Sequence, residues 1–173
     1  RDLKRLKLDR GRIAIEPHAF TFTVAQHTRL KALLPDATLV DGSLLVAEER
    51  LIKAPDEIAF QRQAGEFAEA GLRAGLAALR PGVTEVEIAG AMSAALGAAG
   101  SEYAAIPPMI ATGRRSAMVH AMPHRVPVAK GDIVILELAG VCNRYHVVTM
   151  RTACVGKPSG RAQDVALLLE EAF

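Results

Sequence analysis

Two strand-like runs near the C-terminus constrain this chain most: Ile133-Val-Ile-Leu-Glu-Leu138, and the stretch from Tyr145 to Val155. Both are rich in β-branched residues, which favour extended backbone. Only a short segment around Gly140 separates them, so they read as an antiparallel hairpin turning near that glycine. The first run carries an acid, Glu137, and the second carries Tyr145, His146 and Arg151. Titratable groups are expensive to bury on apolar strands, and a functional site is the usual reason to keep them there. Side chains alternate across a strand. Val148 therefore shares a face with His146 and Met150, while Tyr145, Val147, Thr149 and Arg151 share the other. Glu137 precedes Val148 by eleven residues, a separation that suits two positions facing each other across a hairpin. A lone carboxylate in this run is costly, so Glu137 is either paired with an Arg or His or is functional.

The segments upstream are helical. Pro55-Asp56-Glu57 opens a long helix with proline and acids in its first turn, where the dipole favours them. Its apolar positions run from Ile58 through Phe67 and Leu72 to Leu79, and Arg80-Pro81-Gly82 stops it. Thr84 followed three residues later by Glu87 is a capping box for a second helix, rich in Ala and Gly, that Gly100 ends. A strand candidate spans 104–111, interrupted by Pro107-Pro108, and Gly113-Arg114-Arg115-Ser116 is a turn or loop. Two long helices followed by an antiparallel hairpin indicate α+β. Nearer the N-terminus, Arg12–Ile15, Thr23–Leu34 and Thr38–Val40 follow a β-α-β rhythm, the tail end of a small α/β unit, with 44–51 a short helix or connector. The chain opens on Arg1 without an initiator Met and closes on a helix pattern, 165–173, with no cap, so it reads as a fragment.

Half of the residues are apolar and 23% are charged, which excludes a disordered chain. A net charge of +2 with scattered basic residues, and only 4% aromatics, argues against a nucleic-acid groove or stacking platform. No apolar run reaches membrane-spanning length and no signal peptide is visible, so the expected location is the cytoplasm. Cys142 and Cys154 have no metal-type spacing and read as reduced thiols that pack in strand and turn.

His120 lies in a loop with His124 nearby. Imidazole titrates near neutrality and suits general acid–base work, although a loop histidine taken alone is more often a surface residue. His18 and His27 read as surface residues. Arg114 and Arg115 are either ligands for an anionic substrate group or, more simply, solvated loop residues. Met118, Met122 and Met150 read as core filler.

Four motifs in order carry a family resemblance. Arg50-Leu-Ile-Lys53-Ala-Pro-Asp-Glu57-Ile58 resembles the Arg-x-x-Lys-x-x-x-Glu-Ile segment leading into the catalytic domain of the creatinase, aminopeptidase P and prolidase family, the pita-bread fold. His120-x-x-Pro123, with Gly131-Asp132 following, resembles that family's first active-site histidine loop. Tyr145 with Arg151-Thr152 resembles its Tyr-x-Ser-Asp-x-Thr-Arg-Thr strand, and Val155-Gly156-Lys157-Pro158 the continuation. The resemblance covers about residues 10–173. It implies the C-terminal part of a creatinase-type N-terminal domain over 1–48, and the N-terminal half of a pita-bread catalytic domain, truncated, over 49–173.

The resemblance also shapes the functional expectation. Its metal-dependent members carry Asp at the positions of Glu137 and Val148, where the acids help bridge two metal ions. Here the first is Glu and the second is Val, which has no donor atom. The family's other ligands, a His and two Glu, would lie beyond Phe173. The expected cofactor is therefore none, the alternative being two divalent ions such as Mn or Co. Metal-free relatives such as creatinase and ectoine hydrolase cleave C–N bonds in small nitrogenous compounds. The Glu137-Leu-Ala-Gly140 and Arg144-Tyr145-His146 patterns resemble the ectoine hydrolase branch most. By that resemblance His120 transfers the proton, and Glu137 orients it or helps hold the substrate. Tyr145, His146 and Arg151 are the candidates for contacting a small-molecule substrate, with no residue assigned to metal. The rival readings are an Xaa-Pro dipeptidase or aminopeptidase and a non-catalytic pita-bread binding module. Family members are commonly homodimers, so a homodimer is expected.

Overall fold

A computed structural model describes residues 2–172, so Phe173, the last residue of the predicted terminal helix, lies outside the described residues. The chain divides between Lys53 and Ala54 into two compact units. In the first, α1 (Asp2–Arg5) precedes β1 (Gly11–Ile15), α2 (Val24–Leu33), β2 (Ala37–Asp41) and α3 (Leu45–Glu49). β1 and β2 pair in parallel, from Gly11 opposite Ala37 to Ile15 opposite Asp41. This is the β-α-β unit that the sequence rhythm implied. A capping box starts α2: Gln26 N–H donates to the Thr23 hydroxyl at 3.3 Å, and Thr23 N–H to the Gln26 side chain at 2.7 Å.

The second unit contains α4 (Pro55–Ala78), α5 (Glu85–Ala98), β3 (Met109–Thr112), a 3-10 helix (Gly113–Ala117), β4 (Ile133–Cys142), β5 (Tyr145–Cys154) and α6 (Gly160–Ala172). The strands form one antiparallel sheet in the order β3-β4-β5. Pro at the first position, with Asp56 and Glu57 behind it, starts α4, and the Glu57 carboxylate accepts the Ala54 N–H at 2.7 Å. The Thr84–Glu87 box caps α5 as its spacing requires, and hydrogen bonds from Thr84, first the hydroxyl and then the amide, hold the Glu87 carboxyl below its ordinary value.

Helices α4 and α5 cover one face of the sheet. Ile88, Met92, Ile110, Leu136 and Leu138 are fully buried there, each stabilising the fold by about 1.5–3 kcal/mol relative to exposure. Small residues let the backbones approach. Ala64, Ala68, Gly71 and Gly75 recur at helical spacing along the buried side of α4. A Cβ at Gly75 would come within 2.9 Å of both Met92 and Leu136 side chains.

Two expectations about the hairpin are corrected. Its turn is Asn143-Arg144, both with positive φ (47° and 68°), not Gly140. Positive φ at both central residues is the mark of the tight turn whose twist matches antiparallel strands. Gly140 instead lies inside β4, where α4 crosses so closely that no side chain fits. The register also differs: Glu137 pairs with Met150, and Val148 with Ala139. Glu137 and Val148 are thus diagonal neighbours on one face rather than directly opposed. The strand expected over 104–111 begins only at Met109, after the two prolines, which cannot donate to a ladder.

Candidate active site

The face of the sheet turned away from α4 and α5 carries Ile135, Glu137, Ala139 and Val141 from β4, and His146, Val148, Met150 and Thr152 from β5. Glu137 is buried, with its side chain 6% exposed. The loop after the 3-10 helix brings His120 over it, with Nε2 of the imidazole 4.0 Å from the carboxylate Oε1. That separation permits an ion pair and is longer than a hydrogen bond. His120 itself is 65% exposed and adopts φ 54°. His120 and Glu137 both line a cavity of about 90 Å³, walled also by Met109, Ala111, Ile135, Met150 and the rest of the histidine loop. Apart from Ser116, whose hydroxyl donates to the Gly113 carbonyl, the remaining walls are apolar, so the acid and the imidazole are its titratable groups. An imidazole beside a buried carboxylate is a usable proton-transfer pair.

The other sequence-level candidates separate. His146 shares the Glu137 face but sits opposite Val141, four strand positions or about 13 Å along. Its Nε2 lies 3.0 Å from the Tyr103 hydroxyl, and the Arg144 guanidinium packs over the Tyr103 ring, 5.4 Å from its centre. Tyr145 and Arg151 are on the opposite, helix-side face, in register with Cys142 and Leu136. The Tyr145 hydroxyl donates to Glu57, and its ring stacks on Phe60 at 5.6 Å. Arg151 donates to the Met150 carbonyl at 2.7 Å. The sheet stands between both residues and the His120–Glu137 pair, so the structure does not bring Tyr145 and Arg151 together with that pair. Side-chain alternation is the physical reason. Tyr145→Phe removes a hydrogen bond to a carboxylate and should lower stability by about 1.5–3 kcal/mol. The change lies across the sheet from the cavity, so KM should not move; urea denaturation together with steady-state kinetics checks both halves.

Arg115 is held in the fold rather than being a solvated loop residue. Its Nε is 3.2 Å from Oε1 of Glu85. Glu85 is fully buried, and no motif in the sequence singles it out. A signal was present, because Glu85 falls in the same helical stripe as the buried Ile88, Met92 and Leu96. An acid in an apolar stripe needs partners. Asp132 is similarly structural: its Oδ2 accepts the Thr112 hydroxyl at 3.0 Å and the Ala129 N–H at 2.8 Å. Both cysteines are free. Among the described residues, no three His, Cys, Asp or Glu side chains gather as a metal site, and no helix is long and apolar enough to cross a membrane.

Two helices on one face of an antiparallel sheet, with a histidine–carboxylate pair on the other, define an α+β protein with an open-faced site. The chain belongs to metallopeptidase family M24, whose model matches residues 59–173. It is similar to the ectoine hydrolase of Halomonas elongata, 32% identical over 158 residues that span 86% of this chain and 39% of that protein. The Xaa-Pro dipeptidase of Pyrococcus furiosus is 25% identical over 88% of the chain and 43% of its own length. Among solved structures, the Xaa-Pro dipeptidase from Bacillus anthracis superposes with a TM-score of 0.88 at 27% identity, covering 99% of this chain and 47% of that one. The X-Pro aminopeptidase from Thermotoga maritima gives the same TM-score at 25% identity, again over 99% and 47%. The chain thus spans less than half the length of the relatives it matches. The expected pita-bread fold is borne out over roughly its first half.

Proposed function

We propose that the protein containing this chain hydrolyses a C–N bond in a small nitrogenous compound without a metal pair. His120 takes a proton from water as the water oxygen bonds to the carbon. It then returns the proton to the nitrogen as the C–N bond breaks. Glu137 orients the imidazole and steadies its charged form. The observation that carries this reading is the His120–Glu137 pair over an apolar cavity, with Val148 beside it where the resemblance expects a second acid. A two-metal site clamps oxygen between ions held by bridging carboxylates. The same-face neighbours of Glu137 are Ile135 and Ala139 on β4, Met109 and Ala111 on β3, and Val148, Met150 and Thr152 on β5; Thr152 offers a hydroxyl, but none offers a second carboxylate. These residues do not fit a bridged pair. The similarity to an ectoine hydrolase supports the substrate class.

The similarity to Xaa-Pro dipeptidases favours a second reading, a metal-dependent peptidase. Metal analysis of the full-length protein after mild chelation separates the two. Less than one equivalent of Mn, Co or Zn, with undiminished turnover of ectoine or creatine, is expected. Two equivalents, with metal-dependent cleavage of an Xaa-Pro dipeptide, would establish the peptidase instead. We further propose a cytoplasmic homodimer, which sedimentation equilibrium and cell fractionation test directly.

A further inference from the structure

One buried carboxylate ties together the segments that place His120. Glu85 opens α5, where the helix dipole favours an acid. Its Oε1 accepts the Thr112 N–H at 2.8 Å and Arg115 Nε at 3.2 Å, and its Oε2 accepts the His124 N–H at 2.8 Å. Arg115 in turn donates from Nη2 to the Met122 carbonyl at 2.8 Å. The end of β3, the 3-10 helix and both residues flanking Pro123 are thereby fastened to one side chain. A separate main-chain ladder joins 82–85 to 126–128 just downstream: Gly82 and Glu85 N–H donate to the Val128 and Val126 carbonyls, and Val128 N–H to Val83. Among the described residues, His120 has no such anchor of its own. It is exposed and holds a positive φ, a conformation that persists only where its surroundings impose it.

Building on the reading of His120 as the proton carrier, we propose that Glu85 is a positioning residue. It holds the His120 loop over Glu137 and acts on the reaction only through His120. Its chemistry explains why a carboxylate is needed. Three N–H donors converge on two oxygens, and each oxygen must accept. Glutamine has the same shape but only one oxygen, so its amide NH₂ must face either the Thr112 and Arg115 donors or the His124 N–H. The oxygen stays where two donors meet, and the His124 end of the loop is released. The ladder between 82–85 and 126–128 needs only backbone and survives.

The test uses Glu85→Gln in the full-length protein. Amide hydrogen exchange over 112–124 should accelerate about tenfold or more, as expected when a charge-assisted hydrogen bond is lost. Exchange over 55–78 and 133–154 should not change. With ectoine, creatine and an Xaa-Pro dipeptide as probes, kcat for whichever is turned over should fall about a hundredfold, the effect of a misplacement of about 1 Å. KM should stay nearly constant. In a His120→Ala background the same substitution should change kcat by less than about twofold, because both changes then remove one function. Equal losses in both backgrounds, or exchange that is unchanged or faster everywhere, would overturn the proposal. If no probe is turned over, the exchange pattern decides alone. Full activity of His120→Ala would instead refute the proton-carrier role of His120, and the exchange result would still decide whether Glu85 holds the loop. Should Glu85→Gln not fold, Arg115→Lys gives the same readout: it breaks the link to Met122 and should loosen the same segment.

Discussion

Replacing His120 with alanine in the full-length protein should lower turnover by about a hundred- to ten-thousand-fold, the usual contribution of a positioned proton-transfer group. Stability should change little, because the side chain is mostly exposed and bonds to no core residue except across the 4.0 Å gap to Glu137. One complication is built into the backbone. His120 adopts φ 54°, a conformation that Asn tolerates better than Ala. His120→Asn therefore serves as a second variant, removing the imidazole while keeping the loop geometry. Both variants should be equally impaired, with thermal midpoints close to the parent. Near-normal turnover in either would move the proton-transfer role elsewhere, first to His146. Against that stands its place in the sheet: its Nε2 is engaged by Tyr103, far along the strand from Glu137.

The second large effect is on folding. Gly140→Val should cost more than about 3 kcal/mol, beyond the usual range for overpacking a core. The reason is the identity of the atoms in the way. A Cβ at Gly140 would sit 2.2 Å from the Ala64 carbonyl oxygen and 2.8 Å from the Ala68 nitrogen. These are main-chain atoms of α4, so no rotamer change relieves the clash and the helix must lift from the sheet. Set against a typical stability of about 5–15 kcal/mol, such a loss shifts the urea midpoint strongly or leaves the protein aggregated. Gly90→Ala is the control. It lies in α5 with no atom within 4 Å of the added Cβ, and should stabilise by about 0.4–1 kcal/mol. Equal stability of Gly140→Val and the parent would show that α4 does not cross β4 at this point.

The local signals in the sequence were sufficient for what depends on neighbours in the chain. Capping chemistry at Thr84, apolar residues at helical spacing over 23–34, and proline with acids at 55–57 placed the helices. The run of β-branched residues placed the hairpin, and the order of motifs placed the family. What failed locally was the turn. Asn143-Arg144 lacks the glycine that usually marks such a turn, while Gly140 has a glycine for a reason lying seventy-odd residues away in α4. That shift changed the register and set Glu137 against Met150.

Alternation by itself sorted His146 and Val148 from Tyr145 and Arg151. The side of the sheet that faces the helices, and hence which set can meet His120, was decided only when α4 and α5 packed on it. Glu85 shows the same division. Its place in an apolar stripe is written in the local sequence, but its partners Thr112 and His124 lie 27 and 39 residues further on. Sequence determined where charge would be buried, because periodicity is local. Tertiary structure decided what satisfies that charge and which histidine lies beside it, because hydrogen-bond partners are chosen by packing rather than by distance along the chain.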